Sequence, residues 1–485
     1  NGFTSDDYFG LLDDDEGRDN LQGGLDISIG RLPVRNLAEA QIAVDKIISY
    51  DTDSRAMNDW INRITFVADD QDNNTHIRDA DGIARDLQND HERLNIDKIY
   101  FDAYQQVSTA GGEKYPAVTN AINANIFKGL LVMNYLGHGG WKGWSQERVM
   151  GINDIKSWTN KNALPLFVTA TCSFSGYDDP TLTTGGEEVF LNERGGAIAL
   201  FSTVRAVYAS SNEALTSSVF RTIFEKEDGR FRTLGETLRV AKNRLGTSSS
   251  INTNSRKFTL LGDPAMRLAL PEYNVQTTKI NGLALDTMRS DTIRALQRVT
   301  IEGMVVDDDG QPVTDFNGKV YPTIYDKQVR LFTLGQDEDS SVRGFDLQKS
   351  VIFKGTASVV NGQFQFTFVV PRDINFEFGR GKISYYASDE SSRDATGYYN
   401  EVVIGGTDDN ALSDQIGPEI EVFMNDTTFA FGGLTNTDPI LLVKLRDDNG
   451  INVVGNSIGH DLTAVLDGNT QNTLQLNDFY ESALD

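Results

Sequence analysis

Cysteine is almost absent from this sequence, which holds a single one, Cys172, in 485 residues. No intramolecular disulfide can form, and zinc sites built from several cysteines are excluded. A lone thiol is a liability in an oxidising compartment unless it is buried or used. Histidine is nearly as scarce, so few imidazoles are available to act as a base for the thiol. The histidines are His76, His91, His138 and His460.

Positive charge and long apolar runs are also in short supply. The net charge is -26, from 70 acidic and 44 basic residues, and such a surface repels phosphate backbones, so nucleic acid is not expected as a partner. No apolar run is long enough to span a membrane. The chain opens at Asn1 without a signal peptide, and we expect it to be part of a longer secreted protein.

Acidic residues cluster at several places along the chain. These clusters can be solvated turns, or one or two of them can hold a structural Ca²⁺, because hard cations prefer clustered oxygen ligands. None has the spacing of an EF-hand loop, which favours solvated turns and leaves metal binding open. The clusters are Asp13–Glu16, Asp69–Asp72, Asp307–Asp309 and Asp447–Asp448.

The first 271 residues have the pattern of an α/β domain. Between residues 61 and 271, apolar runs such as Leu130–Leu136 alternate with amphipathic stretches. Near-continuous apolar strands separated by helices predict a mostly parallel sheet covered on both faces. Residues 1–60 are interpreted as the end of a first, truncated subdomain, with a strand at Leu25–Ile29 and a helix at Leu37–Tyr50.

After residue 271 the helical periodicity fades and strand patterns dominate. Gln363–Phe368 alternates strictly between polar and aromatic residues, and the hairpin signal Asn361-Gly362 precedes it. We predict one or two antiparallel β-sandwich domains. One spans residues 272–412, and the start of a further, truncated β-rich module spans residues 413–485.

Two buried strands each end at a reactive side chain. Leu130–Leu136 is followed by Gly137 and His138, and Leu164–Ala170 is followed by Thr171 and Cys172. A short helix connects the two strands, so they should be parallel and adjacent. The imidazole and the thiol then emerge at the carboxyl edge of the sheet, where open α/β sheets place their sites.

The chemistry of this pair suits acyl transfer. A free thiol has a pKa of about 8.5, and an adjacent imidazole can take its proton to leave a thiolate nucleophile. The backbone N–H groups of Gly139 and Cys172 can serve as oxyanion donors. This chemistry requires no cofactor. His76 and His91 fall on a predicted helix and are interpreted as surface or capping residues, and His460 as structural.

Each half of the pair also has a purely structural interpretation. A cysteine after a buried strand is commonly a small apolar core residue, and a Gly-His-Gly-Gly segment is often only a turn. Their coincidence on neighbouring strand ends, with the sole cysteine of the chain, favours catalysis.

The segments around the pair resemble the catalytic core of the gingipain family of cysteine peptidases, which has a caspase-like fold. The resemblance covers roughly residues 1–270. It implies that Cys172 is the nucleophile, that His138 is the general base, and that the backbones of Gly139 and Cys172 hold the oxyanion. The matching segments are Ile27–Pro33, Asn134–Gly139, Leu164–Cys172 and the closing motif Phe258–Leu268.

The same resemblance implies two further roles. The family orients its histidine with an acid after an earlier strand, which here is Asp69 or Asp70, with Asp69 preferred. Tyr208 falls where gingipains carry a tryptophan that walls the primary pocket. No acid matches the pocket that selects Arg or Lys, so trypsin-like specificity is not implied.

The C-terminal half resembles a branch of the family, the sortases or C-terminal signal peptidases of the type IX secretion system in Bacteroidetes. Such an enzyme lies on the extracellular face of the outer membrane with other surface components of that system. It removes the C-terminal sorting domains of secreted cargo proteins and can transfer the cargo to an amine of anionic lipopolysaccharide. The matching segments are Asp414–Pro418, Gly450–Asn452 and Gly459–Asp461.

Two other functions stay open. A secreted gingipain-like endopeptidase without transpeptidation would share the site and differ only in the acceptor. A surface adhesin or scaffold with a degenerate caspase-like domain would bind a partner through its β-modules. The intact pair of Cys172 and His138 argues against this second alternative.

Overall fold

The computed structural model groups the chain into two units. The first unit comprises residues up to Glu272 together with Val329–Leu347 and Glu390–Asp394, and the second comprises Tyr273–Gln328, Gln348–Asp389 and the chain from Ala395 onward. The structure describes residues 3–53, 56–246, 253–285, 292–338, 340–408, 416–437, 439–447, 450–452, 462–470 and 473–483.

A six-stranded sheet forms the centre of the first unit. The strands up to residue 272 are β1 (Arg63–Ala68), β2 (Asn95–Tyr100), β3 (Val107–Thr109), β4 (Gly112–Lys114), β5 (Val132–Leu136), β6 (Gly139–Gly140), β7 (Gly143–Trp144), β8 (Met150–Gly151), β9 (Leu166–Ala170), β10 (Ala199–Thr203), β11 (Lys226–Glu227), β12 (Arg230–Phe231) and β13 (Phe258–Leu261). The sheet order is β13-β10-β9-β5-β1-β2, and only β13 runs antiparallel to its neighbour.

Helices cover both faces of this sheet. The helices described in the first unit are α1 (Arg18–Leu21), α2 (Leu37–Thr52), α3 (Gln71–Asp90), α4 (Pro116–Lys128), α5 (Ile152–Ser157), α6 (Gly185–Leu191), α7 (Ala209–Ile223) and α8 (Leu234–Arg244). Residues of α2, α4, α5 and α6 share one core with Val67, while the ring of Phe66, which points to the opposite face, lies 5.1 Å from that of Phe220 in α7. Within the ranges given above, no helix combines the length and apolar character that a membrane span requires.

The central strands form where the sequence is apolar without interruption. Every residue of β5 and β9 is buried, as expected for parallel strands that are covered on both faces. The strand β9 begins at Leu166 rather than at the predicted Leu164, because Pro165 has no N–H group to donate to a neighbouring strand. The predicted α/β fold with a mostly parallel sheet is confirmed.

The segment before residue 60 packs into the first unit. The predicted strand at Leu25–Ile29 is wrong, since that segment is irregular. Instead Arg31 forms a single parallel bridge beside β13, donating its N–H to Leu260 at 2.8 Å and accepting from Gly262 at 2.9 Å. The predicted helix after it is present as α2, and its buried Lys46 donates to main-chain carbonyl groups.

The chain after Glu272 is rich in β-structure, as predicted. Its strands are β14 (Tyr273–Ile280), β15 (Leu283–Ala284), β16 (Thr292–Ala295), β17 (Arg298–Val306), β18 (Gly318–Tyr325), β19 (Val329–Phe332), β20 (Gly344–Leu347), β21 (Val351–Val359), β22 (Gln363–Val369), β23 (Gly379–Arg380), β24 (Lys382–Ser388), β25 (Asp394–Tyr399), β26 (Val403–Thr407), β27 (Glu419–Met424), β28 (Leu441–Arg446), β29 (Thr463–Val465), β30 (Thr473–Gln475) and β31 (Ser482–Ala483). The large sheet has the order β22-β17-β14-β25-β24-β18-β21-β31 and is mostly antiparallel, with parallel β14–β25 and β21–β31 pairs.

The turn at Asn361-Gly362 forms as predicted, but the strands on either side of it separate. Both residues have positive φ, 52° and 75°, and Val360 and Gln363 exchange two main-chain hydrogen bonds across them. The strand β22 then pairs with β17, whereas β21 pairs with β18. The turn therefore joins strands that lie far apart in the sheet order.

One hairpin from the second half of the sequence belongs to the first unit. β19 and β20 pair with each other, and the loop between them binds the fully buried Asp102, whose carboxylate accepts from the N–H groups of Gly335 at 2.8 Å and Gln336 at 3.1 Å. The ring of Phe345 lies 4.9 Å from that of Tyr100. The sequence pattern alone places this hairpin in the module over residues 272–412.

Candidate active site

The parallel pairing of β5 with β9 sets the frame of the site. Leu136 lies directly opposite Ala170, and His138 and Cys172 each follow two residues later. The predicted pairing of these strands is confirmed, so both side chains belong to the carboxyl edge of the sheet. The two loops touch, because a Cβ on Gly139 would lie 2.5 Å from Oγ1 of Thr171.

The main chain of His138 is held by hydrogen bonds on both sides. Its N–H donates to Oδ2 of Asp69 at 2.8 Å. Its carbonyl accepts from the hydroxyl of Tyr135 at 2.6 Å and from the N–H of Ser145 at 2.8 Å. Tyr135 is itself fully buried and stacks on Trp144 with ring centroids 4.2 Å apart. The position of the histidine is therefore fixed through groups that are packed in the core.

The acid at the imidazole ring is Asp72. Its Oδ2 lies 3.1 Å from Nε2 of His138, whose side chain is 40% exposed. Neither predicted acid has this place in the structure. Asp69 accepts from the main chain of His138 and of Gln71, and Asp70 accepts from the hydroxyl of Tyr115.

A left-handed turn explains why the acid lies further along the chain than predicted. Asp72, Asn73 and Asn74 have φ values of 58°, 57° and 56° at the start of α3. Asp and Asn tolerate this conformation better than other residues with a Cβ. The buried Asn74 side chain donates to the carbonyl of Ser341 at 2.7 Å, and this bond anchors the turn to the loop between β19 and β20. The Asp-Asn-Asn run was the available signal for this turn.

His76 lies inside the site rather than on the surface. The predicted surface position is wrong, because its side chain is only 7% exposed and its ring packs edge-on against His138, with centroids 5.3 Å apart. Burial lowers the pKa of His76, and the charge of His138 lowers it further, while Asp69 and Asp72 act in the opposite direction. The other predicted surface histidine, His91, packs against Phe224 with ring centroids 4.7 Å apart.

Asp70 is a buried carboxyl group that favours its neutral form. Burial, together with the charges of Asp69 and Asp337, raises the pKa of Asp70 to about 9, against the hydrogen bond from Tyr115. At neutral pH this group is therefore mostly protonated. It supports the loop after β1 and adds little negative charge to the site.

Cys172 lies at a constrained turn after β9. Its Sγ lies 3.9 Å from the carbonyl oxygen of Val207. The next residue, Ser173, has a φ of 55° and donates its N–H to Arg205 at 3.3 Å. Residues with a Cβ in the left-handed region are uncommon and concentrate at functional sites. The thiol is half-buried, which leaves it accessible to a substrate.

Tyr208 and Lys257 form an exposed wall near the thiol. Tyr208 is 72% exposed, and its N–H donates to Asn254 at 2.9 Å. Nζ of Lys257 lies 5.6 Å from the centre of the Tyr208 ring and donates to the carbonyl of Ala206 at 2.7 Å. Burial lowers the pKa of Lys257, while the charge of Cys172 acts to raise it. No motif in the sequence indicated this lysine.

In the acidic cluster at Asp13–Glu16, two carboxylates lie near that of a further acid, Asp26. Oxygen atoms of Asp13, Glu16 and Asp26 lie within 4.8 Å of one another. Glu16 accepts from the N–H of Gly24 at 2.8 Å and Asp26 from the N–H of Leu12 at 2.9 Å. These bonds are those of ordinary turns, and structural Ca²⁺ stays a prediction.

His460 and parts of the C-terminal segments that resemble sortases lie outside the described residues.

A thiol and an imidazole at the ends of adjacent parallel strands are the pair of groups that a cysteine peptidase uses as nucleophile and general base. Residues 1–269 match the sequence profile of peptidase family C25, and the chain belongs to this family, that of the gingipains. A search of curated proteins gave no match.

Solved structures similar to this chain include gingipains and PorU. The Arg-specific cysteine proteinase gingipain R (RgpB) is 16% identical over 82% of this chain and 79% of that chain, with a TM-score of 0.47. The complex of Porphyromonas gingivalis RgpB pro- and mature domains has the same identity and TM-score and is covered over 81%. Dimeric latent PorU from Porphyromonas gingivalis is 28% identical over 98% of this chain, with a TM-score of 0.33, and this chain spans 38% of its length.

We predict that Gly139→Ala lowers peptidase activity at least about tenfold, while Gly140→Ala leaves it nearly unchanged. A Cβ at Gly139 would lie 2.5 Å from Thr171 Oγ1 and 3.0 Å from the carbonyl of Gly143, so the histidine loop must shift. A Cβ at Gly140 meets nothing within 4 Å. Cleavage of a general protein substrate measures the difference, and equal activity of the two variants would contradict the prediction.

We also predict that Asp70 makes the free energy of unfolding depend on pH. Its pKa is about 9 in the folded chain and about 3.9 in an unfolded one, so folding takes up a proton between these values. The free energy of unfolding should therefore fall as the pH rises from about 5 to 9, by at most about 1.4 kcal/mol per pH unit. Urea unfolding of Asp70→Asn should show a shallower fall than the wild type, whereas the exposed control Asp86→Asn should not. Parallel curves for all three proteins would count against the prediction.

Proposed function

We propose that this cysteine peptidase is a sortase-type processing enzyme of the type IX secretion system. It acts on the extracellular face of the outer membrane and removes the C-terminal sorting domains of secreted cargo proteins. The observation that carries the peptidase activity is the placement of His138 and Cys172 two residues beyond paired positions of β5 and β9. The sorting role is supported by the sequence resemblance of the C-terminal half to sortases.

The reaction begins with proton transfer from the Cys172 thiol to the His138 imidazole. The thiolate attacks the carbonyl carbon of the scissile peptide bond, and the oxyanion is stabilised by the N–H groups of Gly139 and Cys172. The carbon–nitrogen bond then breaks, and the leaving amine takes the proton from the imidazolium. The products are the free sorting domain and a thioester between the cargo and the enzyme.

The charge on the imidazolium is balanced by nearby acids. Asp72, 3.1 Å from Nε2 of His138, stabilises the protonated ring and restricts its orientation. Asp69 acts on the same residue through its main chain. Asp69 and Asp72 therefore share the role of orienting His138, which the sequence resemblance assigns to a single acid.

The second half of the reaction passes the acyl group to an acceptor. Water or an amine attacks the thioester, His138 accepts the proton of the attacking group, and the Cys172 thiolate leaves. An amine of anionic lipopolysaccharide is the proposed acceptor for attachment of the cargo, with water as the competing acceptor. The other surface components of the secretion system are the proposed partners that deliver cargo.

The wall of Tyr208 and Lys257 supports a substrate preference different from that of trypsin-like gingipains. The ammonium group of Lys257 interacts electrostatically with Cys172 and lies over the Tyr208 ring. A basic substrate side chain entering beside this wall would meet like charge. We propose that small, polar or acidic residues precede the cleaved bond.

Cys172→Ala should abolish cargo processing, and His138→Ala should reduce it by about 10³-fold or more, because the two residues act as a unit. His91→Ala is the matched control, since it removes an imidazole at the far end of α3. Cargo that carries its C-terminal domain is incubated with each protein, and the products are weighed by mass spectrometry. Normal processing by Cys172→Ala would refute the peptidase mechanism.

The same product masses separate the two acceptors. A cargo product that carries added amine-linked mass in the presence of lipopolysaccharide supports the sortase. Only hydrolysed product under all conditions would reduce the function to that of an endopeptidase.

A further inference from the structure

Three side chains at the edge of the site are arranged as ligands of a metal ion. The ligand atoms of Asp72, His76 and His138 all lie within 4.8 Å of one another. Oδ2 of Asp72 lies 3.1 Å from Nε2 of His138 and 3.4 Å from Nε2 of His76. A single carboxylate oxygen thus faces two imidazole nitrogens that belong to nearly perpendicular rings, at 88°.

These separations match the edges of a tetrahedron. Zinc binds imidazole nitrogen and carboxylate oxygen at about 2.0–2.2 Å, and two ligands of a tetrahedral ion are then roughly 3.3–3.6 Å apart. The observed 3.1 and 3.4 Å need little movement to reach this geometry. Three protein ligands leave the fourth position open, as in zinc sites that bind water or substrate.

His76 provides an independent reason for a ligand at this point. Its Nε2 is buried and makes no hydrogen bond among the residues that the structure describes. Buried polar atoms that make no hydrogen bond are rare in folded proteins and call for an explanation. A cation between His76, Asp72 and His138 would satisfy it.

The donor set and its surroundings select the class of metal. Two imidazoles and a carboxylate suit Zn²⁺ and related transition metals, whereas Ca²⁺ and Mg²⁺ prefer sites made of oxygen alone. The fully buried Asp69 adds negative charge close to both histidines. The net charge of -26 further favours the arrival of a cation.

We propose that Asp72, His76 and His138 form a binding site for Zn²⁺ or a similar divalent transition metal, and that metal binding switches the peptidase off. A metal on Nε2 of His138 occupies one nitrogen of the general base and places positive charge on its ring, so the ring can no longer accept the thiol proton. Asp72 is occupied at the same time. The inhibitory part of this inference depends on the proposed function, whereas the binding part does not.

The binding test uses the full chain with Cys172→Ala, so that the thiol cannot act as a ligand. Competition with a chromophoric zinc chelator should show one Zn²⁺ bound per chain at this site. Adding His76→Asn should weaken this binding at least tenfold, and adding His91→Asn should leave it unchanged. Adding Asp72→Asn provides a second ligand test if His76→Asn does not fold, which circular dichroism would reveal.

Three outcomes of this test would overturn the site. They are no zinc binding by the Cys172→Ala protein, equal weakening of zinc binding by His76→Asn and His91→Asn, and binding of Ca²⁺ as tight as that of Zn²⁺.

The inhibition test compares the active enzyme, which keeps Cys172, with the same enzyme carrying His76→Asn. Micromolar Zn²⁺ should inhibit the wild type reversibly, with recovery in EDTA, and should inhibit the variant at least tenfold less effectively. Equal inhibition of both would overturn the switch, while binding without any peptidase activity would refute the proposed function alone.

Discussion

The in-register parallel pairing of β5 with β9 is the constraint on which the whole site depends. A thiol and an imidazole that are 34 residues apart in sequence, at positions 138 and 172, reach one edge of the sheet because Leu136 faces Ala170. The strands can hold this register because every residue in them is buried on one face or the other. Slippage by one residue would turn all these side chains to the opposite face, so the core that stabilises the fold also fixes the chemistry.

A second set of contacts refines what the strands bring together. The loop after β5 is held by Asp69, Tyr135 and Ser145 through the main chain of His138. The loop after β1 turns in the left-handed region and carries Asp72 to the ring. That turn is braced by the hairpin β19–β20, which comes from a distant part of the sequence. The position of Asp72 beside the His138 ring therefore depends on residues far away in the sequence.

Much of this arrangement could be predicted from the sequence. The buried strands are recognisable in the sequence as apolar runs. Because only a short helix connects β5 to β9, their parallel pairing was predictable, and with it the placement of His138 and Cys172 at one edge of the sheet. The acid was not, because strand patterns end at Ala68 and the three left-handed residues that follow redirect the chain.

The remaining surprises are long-range contacts. The burial of His76 depends on packing against His138, and Lys257 reaches the site from the segment before β13. The sequence pattern predicts the hairpin β19–β20 as one more pair of strands in a β-rich region. Only its contacts with Asp102 and Tyr100 show that it belongs to the first unit. The local pattern of apolar and polar residues predicts strands and helices well, but it does not indicate which distant segments contact each other.

The alkylation rate of the Cys172 thiol shows whether His138 activates it. Because the chain has no other cysteine, iodoacetamide reports on this site alone. At neutral pH the folded wild type should react about tenfold or more faster than His138→Gln, and the two proteins should react equally once unfolded in urea. Equal rates for the two folded proteins would mean that His138 does not activate the thiol.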